Sequence, residues 1–238
     1  MCTLFLAVDE NPQFPIILIE NRDEFFNRKS TKPHQWEDID LYAGKDFEKG
    51  GTWLGYNSVG DWGVVTNYRD LNQNLGGERS RGDLIPELIG KRKSIDEAHK
   101  FLLDKAADFG PFNLVYSIEN KVFYFSSIQK QSQELQKGIY GLSNAFLNTP
   151  WFKVTKGKRL FSLIIENKKL DTSALFKMML DEEKTTNEEL PPTGLPLEIE
   201  RLVSSIFIFS ESYGTHCTTF LSKDKNGKIN FEEKRYQK

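Results

Sequence analysis

Short runs of β-forming residues, paired across turn sequences, constrain the fold of this chain more than any other feature. Residues 3–8 and 14–20 are two such runs, and the polar segment between them contains Asn11 and Pro12, which suit a turn. We therefore predict that the chain opens with a β-hairpin. Because a terminus is held in place only when it is tied into a sheet, this hairpin gives Cys2 a defined position.

Further strands are predicted along the whole chain. Residues 113–118 and 121–126 flank only Glu119 and Asn120, a two-residue connection that favours a tight hairpin turn. The remaining strand predictions are residues 51–56 with 62–67, residues 215–222 with 228–235, and the single segments 138–144 and 205–210. Strands therefore occur at both ends and in the middle.

Helical patterns lie between the strands. Ser94 and Glu97 form a capping box before an apolar stripe, which predicts a helix over residues 95–107. Other helices are predicted over residues 81–91, 151–165 and 172–180, the last with Asp171 as its N-cap. Hairpins followed by paired helices and more hairpins indicate an α+β fold rather than alternating βαβ units.

We expect these elements to form one domain over residues 1–238. With 38% hydrophobic and 28% charged residues, the composition is that of a globular chain, which at this length buries a sizeable core. Residues 181–196 are polar and contain three prolines and a glycine, so we predict an exposed loop there. It is not a domain boundary, because the strands after it need partners from before it.

Charge and hydropathy exclude several classes of partner. The chain has 32 basic and 34 acidic residues, so it has no overall positive field and nucleic acid is not an expected partner. No segment approaches the roughly 18 apolar residues of a spanning helix. The first ten residues lack the basic segment of a secretory signal. We expect a cytoplasmic protein without an integral membrane segment, acting on a small molecule or a protein.

The cysteines and histidines give no support for a disulfide scaffold or a metal site. Cys2 and Cys217 allow at most one bridge, and both are expected to be reduced thiols. The three histidines show no zinc-ligand spacing with the cysteines, so no metal and no cofactor is predicted.

Cys2 is the sharpest chemical feature of the sequence. Removal of Met1 would leave a thiol and a free α-amine on one residue, and an α-amine has a reference pKa of about 7.7 to 8.0. Its neutral form can take the proton of the thiol, so one residue supplies both nucleophile and base. The alternative interpretation is an ordinary cysteine in an early strand.

The sequence Asn-Arg-Asp-Glu at residues 21–24 follows the second predicted strand directly. The hairpin brings this polar segment close to Cys2. A guanidinium there stabilises a thiolate, and a carboxylate orients an amine. The alternative interpretation is a solvated turn with a local ion pair.

Motifs distributed over nearly the whole chain resemble those of a known family. They are Met-Cys at residues 1–2, Asn-Arg-Asp-Glu at 21–24, Gly-Gly-Thr-Trp-Leu-Gly at 50–55, Val-Thr-Asn at 65–67, Ser-Arg-Gly at 80–82, Gly-Leu-Ser-Asn at 141–144, Pro-Trp at 150–151 and Tyr-Gly-Thr at 213–215. In this order they resemble the NRDE family, also called the transport and Golgi organisation 2 family.

That family is in turn similar to amino-terminal-nucleophile (Ntn) hydrolases of the choloylglycine hydrolase and penicillin V acylase group. The resemblance implies a four-layer αββα sandwich, which agrees with the α+β prediction. It also implies that Cys2 is the nucleophile, Arg22 its electrostatic partner and Asp23 the group that holds the α-amine. Asn67 and Asn144 are the implied donors to the developing oxyanion.

Further site residues follow from the same resemblance. The hydrolases carry Arg-Asn-x-Asp where this chain has Asn-Arg-Asp-Glu, so Glu24 competes with Asp23 as the carboxylate partner and is otherwise assigned to substrate binding. Arg201 matches an active-site arginine. Trp53 is a candidate for lining a substrate pocket, with core packing as the alternative. His216 stands where the family often has an arginine, which leaves that arginine's role open.

Three functions remain open from the sequence. The first is an Ntn-type cysteine hydrolase that cleaves a linear, non-peptide amide with Cys2 as nucleophile, which requires removal of Met1. The second is a non-enzymatic carrier of haem or another hydrophobic ligand on the same fold. The third is a non-catalytic protein that acts through partners. Substrate and oligomeric state are not defined by the sequence.

Overall fold

Two antiparallel β-sheets and four α-helices make up the described part of a computed structural model, residues 2–69, 71, 77–167 and 169–236. In chain order the strands are β1 (Cys2–Val8), β2 (Ile16–Phe25), β3 (His34–Gln35), β4 (Tyr42–Ala43), β5 (Leu54–Tyr56), β6 (Trp62–Asn67), β7 (Phe112–Ile118), β8 (Lys121–Ser126), β9 (Gln131–Glu134), β10 (Gly138–Leu142), β11 (Tyr213–Lys223) and β12 (Ile229–Arg235). The helices are α1 (Ile95–Lys105), α2 (Phe152–Ile165), α3 (Thr172–Met178) and α4 (Leu197–Leu202). The predicted α+β class is confirmed.

The chain divides into two compact units, each built around one sheet. Unit 1 comprises Met1–Asn27, Arg69–Gln73 and Lys137–Lys238, and unit 2 comprises Arg28–Tyr68 and Asn74–Gln136. The sheet of unit 1 has five strands in the order β10-β1-β2-β11-β12, and that of unit 2 has seven in the order β3 to β9. The seven strands of unit 2 pair in chain order, whereas in unit 1 the non-consecutive strands β1 and β10, and β2 and β11, are neighbours.

In unit 1, helices α2 and α3 pack on one face of the five-stranded sheet. Phe5 and Ile19 of the central strands are fully buried in one apolar cluster with Phe161 of α2 and Leu175 of α3. The Asp171 side chain accepts a hydrogen bond from the Ala174 N–H and begins α3, which confirms the predicted N-cap. This packing fixes β1, the strand that begins with Cys2.

In unit 2, helical segments cover one face of the seven-stranded meander. The predicted capping box of Ser94 and Glu97 is confirmed at the start of α1. Both Glu119 and Asn120 have positive φ, as the tight turn between β7 and β8 requires. Residues 81–90 are helical, as predicted for 81–91, but they form a 3-10 turn (Arg81–Asp83) that leads into a π-helical turn (Pro86–Gly90) rather than one regular α-helix. Pro86 stands at the first position of the π-helical turn, where its missing N–H is tolerated.

The structure corrects two strand predictions in unit 1. Strand β2 continues to Phe25, so residues 21–24 lie within the strand and do not follow it. Asn21 and Arg22 are paired with both β1 and β11, whereas Asp23 and Glu24 are paired with β11. Residues 205–210 do not form a strand, apart from an isolated bridge between Phe209 and Gly214. Within residues 181–196 most side chains are exposed, and Thr185 is the buried one. Among the described helices, none is long and apolar enough to cross a membrane.

Candidate active site

Cys2 lies directly opposite Arg22 in the antiparallel pairing of β1 with β2. Directly paired side chains share a face of the sheet, with Cβ atoms about 4.5–5.5 Å apart. On the other edge of β2 the partner of Arg22 is Cys217. The Arg22 residue is 5% exposed, so its guanidinium is held beside both thiol-bearing residues with little access to water.

Burial dominates the chemistry of the Cys2 thiol. It raises the pKa of Cys2 to about 12, and the carboxyl groups of Glu20 and Asp23 raise it further, while Arg22 lowers it. The residue retains partial exposure. At neutral pH the thiol is therefore protonated, and a reaction that uses the thiolate needs a base close to Cys2.

Asp23 is buried beside β11. Its carboxylate accepts a 2.7 Å hydrogen bond from the Thr215 hydroxyl, and its backbone carbonyl accepts one of 3.1 Å from the Tyr213 hydroxyl. Burial raises the pKa of Asp23, and the positive charges of Lys153 and Arg22 and the bond from Thr215 oppose that rise. By contrast Glu24 is partly exposed and accepts a bond from its neighbour's backbone N–H. Of these two carboxyl groups, the buried one is that of Asp23.

Ser143 links Cys2 to Asn144. Its hydroxyl lies 2.9 Å from the backbone carbonyl oxygen of Cys2 and 3.2 Å from Oδ1 of Asn144. The hydroxyl of Thr3 lies 3.3 Å from that of Ser143. Because Oδ1 of Asn144 faces the serine, the Nδ2 group forms the other arm of a fully buried amide. The Gly-Leu-Ser-Asn motif therefore places an amide donor near the first strand.

A buried ion pair lies next to Asn144. The backbone N–H of Arg69 donates to the Asn144 carbonyl at 2.7 Å, and its guanidinium lies 2.8 Å from the carboxylate of Glu200 on α4. The same guanidinium lies over the Trp151 ring, 5.0 Å from its centroid. Arg201, the arginine predicted from the sequence, is exposed on α4. The buried arginine of this cluster is Arg69.

Two other predicted site residues belong to unit 2. Asn67 ends β6, is paired with Phe112 and is partly exposed. Trp53 lies just before β5 and is 7% exposed, and its backbone carbonyl accepts a hydrogen bond from Val65. The cluster described above consists of unit 1 residues, and neither of these belongs to it.

Sequence reasoning missed several residues of the cluster. Ser143 and Tyr213 lie in motifs that were recognised without a role for these side chains. Lys153 lies on α2 and Glu200 on the short helix α4, and nothing in the spacing of either helix marks a buried charge. Within the described residues, no group of three or more His, Cys, Asp or Glu side chains could hold a metal ion.

Comparison with known proteins identifies the family. The family model "Transport and Golgi organisation 2" matches residues 1–238. The mouse Transport and Golgi organization 2 homolog is 30% identical over 256 residues, covering 98% of this chain and 92% of the relative. The human homolog is 28% identical over 257 residues with the same coverage of both proteins.

A solved structure shows the fold. The crystal structure of a mutant conjugated bile acid hydrolase from Clostridium perfringens matches with a TM-score of 0.50 and 10% sequence identity, over 100% of this chain and 97% of that one. This likeness confirms the predicted Ntn-hydrolase type of fold. The match to the family model over the whole chain, together with the mouse relative, shows that this chain belongs to the Transport and Golgi organisation 2 family.

Proposed function

We propose that this chain is an Ntn-type hydrolase that cleaves a linear, non-peptide amide with the Cys2 thiol as nucleophile. The observation that supports it most is the direct pairing of Cys2 with Arg22 in the central strands of unit 1. A buried carboxyl group, Asp23, and a buried amide, Asn144, lie in the same unit. These are the residue types that acyl transfer to a thiol requires.

Activation of the thiol is the first step. After removal of Met1, the neutral α-amine of Cys2 takes the thiol proton, and the charge of Arg22 stabilises the resulting thiolate. Asp23 holds the α-ammonium that forms. The hydrogen bond from Thr215 supports this role because it keeps the Asp23 carboxyl group in one orientation.

Acylation follows. Sγ of Cys2 forms a bond to the amide carbonyl carbon, and the π electron pair moves to the oxygen. The Nδ2 group of Asn144 donates to that oxyanion, a contribution of about 3 to 4 kcal/mol per donor where it has been measured. The tetrahedral intermediate collapses, the C–N bond breaks, and the leaving amine takes the proton from the α-ammonium. Water then hydrolyses the thioester to a carboxylic acid, with the α-amine as base.

Other predicted roles do not carry this proposal. Asn67 as a second oxyanion donor, and Glu24, Trp53 and Arg201 as substrate-binding residues, stay predictions. Carriage of haem or another hydrophobic ligand stays the alternative prediction. The steps above use residues of unit 1 only.

The test combines intact mass, thiol labelling and turnover. Protein from its native host is expected to lack Met1 and to react rapidly, at one site, with a thiol-reactive probe. Cys2→Ala is expected to abolish both the fast labelling and turnover of a panel of linear acyl amides, while Cys217→Ala, the matched control, retains both. Turnover that is unchanged in Cys2→Ala, or a retained Met1 in active protein, would falsify the proposal.

A further inference from the structure

Lys153 is a buried cation that no residue of the described chain neutralises by contact. The residue is 2% exposed on α2, and its ammonium makes one hydrogen bond, of 2.9 Å, to the backbone carbonyl of Val203 at the end of α4. Across residues 2–69, 71, 77–167 and 169–236, no carboxylate oxygen lies within 4.0 Å of it. An ammonium has three N–H donors, so two are not used by a protein acceptor.

The electrostatic surroundings of Lys153 are mixed. Burial lowers its pKa to about 8, Asp23, Cys2 and Glu200 raise it, and Arg69 lowers it. The amine is therefore mostly protonated at pH 7. Holding such a charge away from water is strongly unfavourable unless an anion contacts it. A group of this kind next to a cavity is typical of a binding or catalytic site.

A small cavity adjoins this ammonium within unit 1. It has a volume of about 10 Å³ and is lined by Lys153, Arg69, Trp151 and Glu200, and by Thr185 and Pro191 of the 181–196 segment. The guanidinium of Arg69 is in contact with the Glu200 carboxylate at 2.8 Å, whereas no carboxylate of the described residues contacts the ammonium of Lys153. A cavity of this size holds about one water-sized polar group.

We propose that this cavity binds one oxygen of a carboxylate group carried by a small-molecule ligand, with the Lys153 ammonium as its donor and countercharge. A carboxylate oxygen accepts the unused N–H groups and supplies the missing negative charge in a single contact. The cavity is too small for a hydrocarbon group, so the rest of the ligand lies outside it. The inference stands whether or not Cys2 acts as a nucleophile.

If Lys153 served only to stabilise the fold, its substitution would affect ligand binding differently. Lys153 also caps the carbonyl end of α4, and that role needs a donor near Val203 rather than a full charge. Lys153→Gln keeps an N–H donor and removes the charge, whereas Lys153→Arg keeps both. Lys158→Gln on the same helix is the matched control, because the Lys158 amine bonds Asn148 and does not line the cavity.

The experiment is a calorimetric titration of the whole protein with acetate, and with acetamide as the neutral isostere. We expect saturable acetate binding, no acetamide binding, and at least about tenfold weaker acetate binding in Lys153→Gln, with Lys153→Arg and Lys158→Gln close to wild type. The affinity should fall as the pH rises above about 8. Equal binding of acetate and acetamide, no acetate binding, or an unaffected Lys153→Gln that melts like wild type each overturns the inference.

Discussion

The hydroxyl of Ser143 lies 2.9 Å from the backbone carbonyl oxygen of Cys2, a residue 141 positions earlier in the chain. This contact joins the end of β10 to the start of β1, beyond the last residue pair of their ladder, Leu4 with Leu142. The first strand is therefore held at its outermost residue by a side chain as well as by backbone pairing. The same hydroxyl reaches the amide of Asn144.

For the proposed amide hydrolase, replacement of Ser143 by alanine is expected to disturb catalysis more than folding. Loss of one buried hydrogen-bonding group costs about 1 to 3 kcal/mol of stability. Because Asn144 also loses the group that orients its amide, kcat for amide cleavage should fall at least about tenfold with a smaller change in KM. Kinetics and thermal melts of Ser143→Ala, beside Ser222→Ala in the same sheet, measure this. An unchanged kcat contradicts it.

Replacement of Arg22 tests its effect on the thiol. Arg22→Gln removes the positive charge that lowers the pKa of Cys2, so the pH at which Cys2 becomes alkylated should rise. Arg22→Lys keeps a charge and should shift that profile less. The measurement is the rate of alkylation against pH, read at Cys2 by peptide mass. Identical profiles for both variants and wild type would show that the guanidinium does not act on the thiol.

Glu20 gives a prediction of stability against pH. Both carboxyl oxygens are buried without a hydrogen-bond partner in the described structure, and burial raises the pKa of Glu20 well above its ordinary value of 4.5. An acid whose pKa is higher in the folded state stabilises the fold at low pH. That contribution is lost as the pH rises from about 4.5 towards the folded value.

The matching variant is Glu20→Gln, which does not titrate. Its melting temperature should fall less than that of wild type as the pH rises from 4.5 to 8, while the exposed control Glu211→Gln should follow wild type. Parallel curves for wild type and Glu20→Gln would mean that Glu20 is ionised without cost in the folded protein.

The Arg69–Glu200 pair should show strong coupling. Its side chains are 9% and 4% exposed, and removal of one partner of a buried pair leaves an uncompensated charge, at a cost of about 3–5 kcal/mol. Glu200→Gln and Arg69→Met should each destabilise strongly, and the double variant should lose less than the sum. Denaturant unfolding of all four proteins gives the coupling. Additive losses would be inconsistent with a direct buried ion pair.

The sequence predicted the fold better than it predicted the site. Strand pairs separated by short turns, such as β7 and β8, and the capped helix α1 depend on local patterns that a single sequence displays. The family motifs then indicated the fold of the whole chain. The end of β2 could not be predicted, because polar residues in the middle of a sheet resemble a turn until both neighbouring strands are known.

The same reason explains the missed site residues. Lys153 and Glu200 become buried only through long-range contacts, Lys153 with the Val203 carbonyl at the end of α4 and Glu200 with Arg69. Neither helix has a pattern that marks one charge as internal. The exposed Arg201 and the buried Glu200 are adjacent, so a one-residue difference in helix orientation decides which of them faces the cluster. The spacing of apolar residues along α4 does not show how this helix is rotated about its axis.

Cys2 and Cys217 occupy opposite sides of Arg22 in neighbouring strands, so two strand spacings separate them. At about 4.8 Å for each spacing, their Cα atoms lie about 10 Å apart. A disulfide needs Cα atoms within about 7 Å, and the strand between them prevents a closer approach. Oxidation of the folded protein therefore leaves the two sulfurs unlinked. Detection of an intramolecular disulfide between Cys2 and Cys217 would therefore show that β1, β2 and β11 had separated before the bond formed.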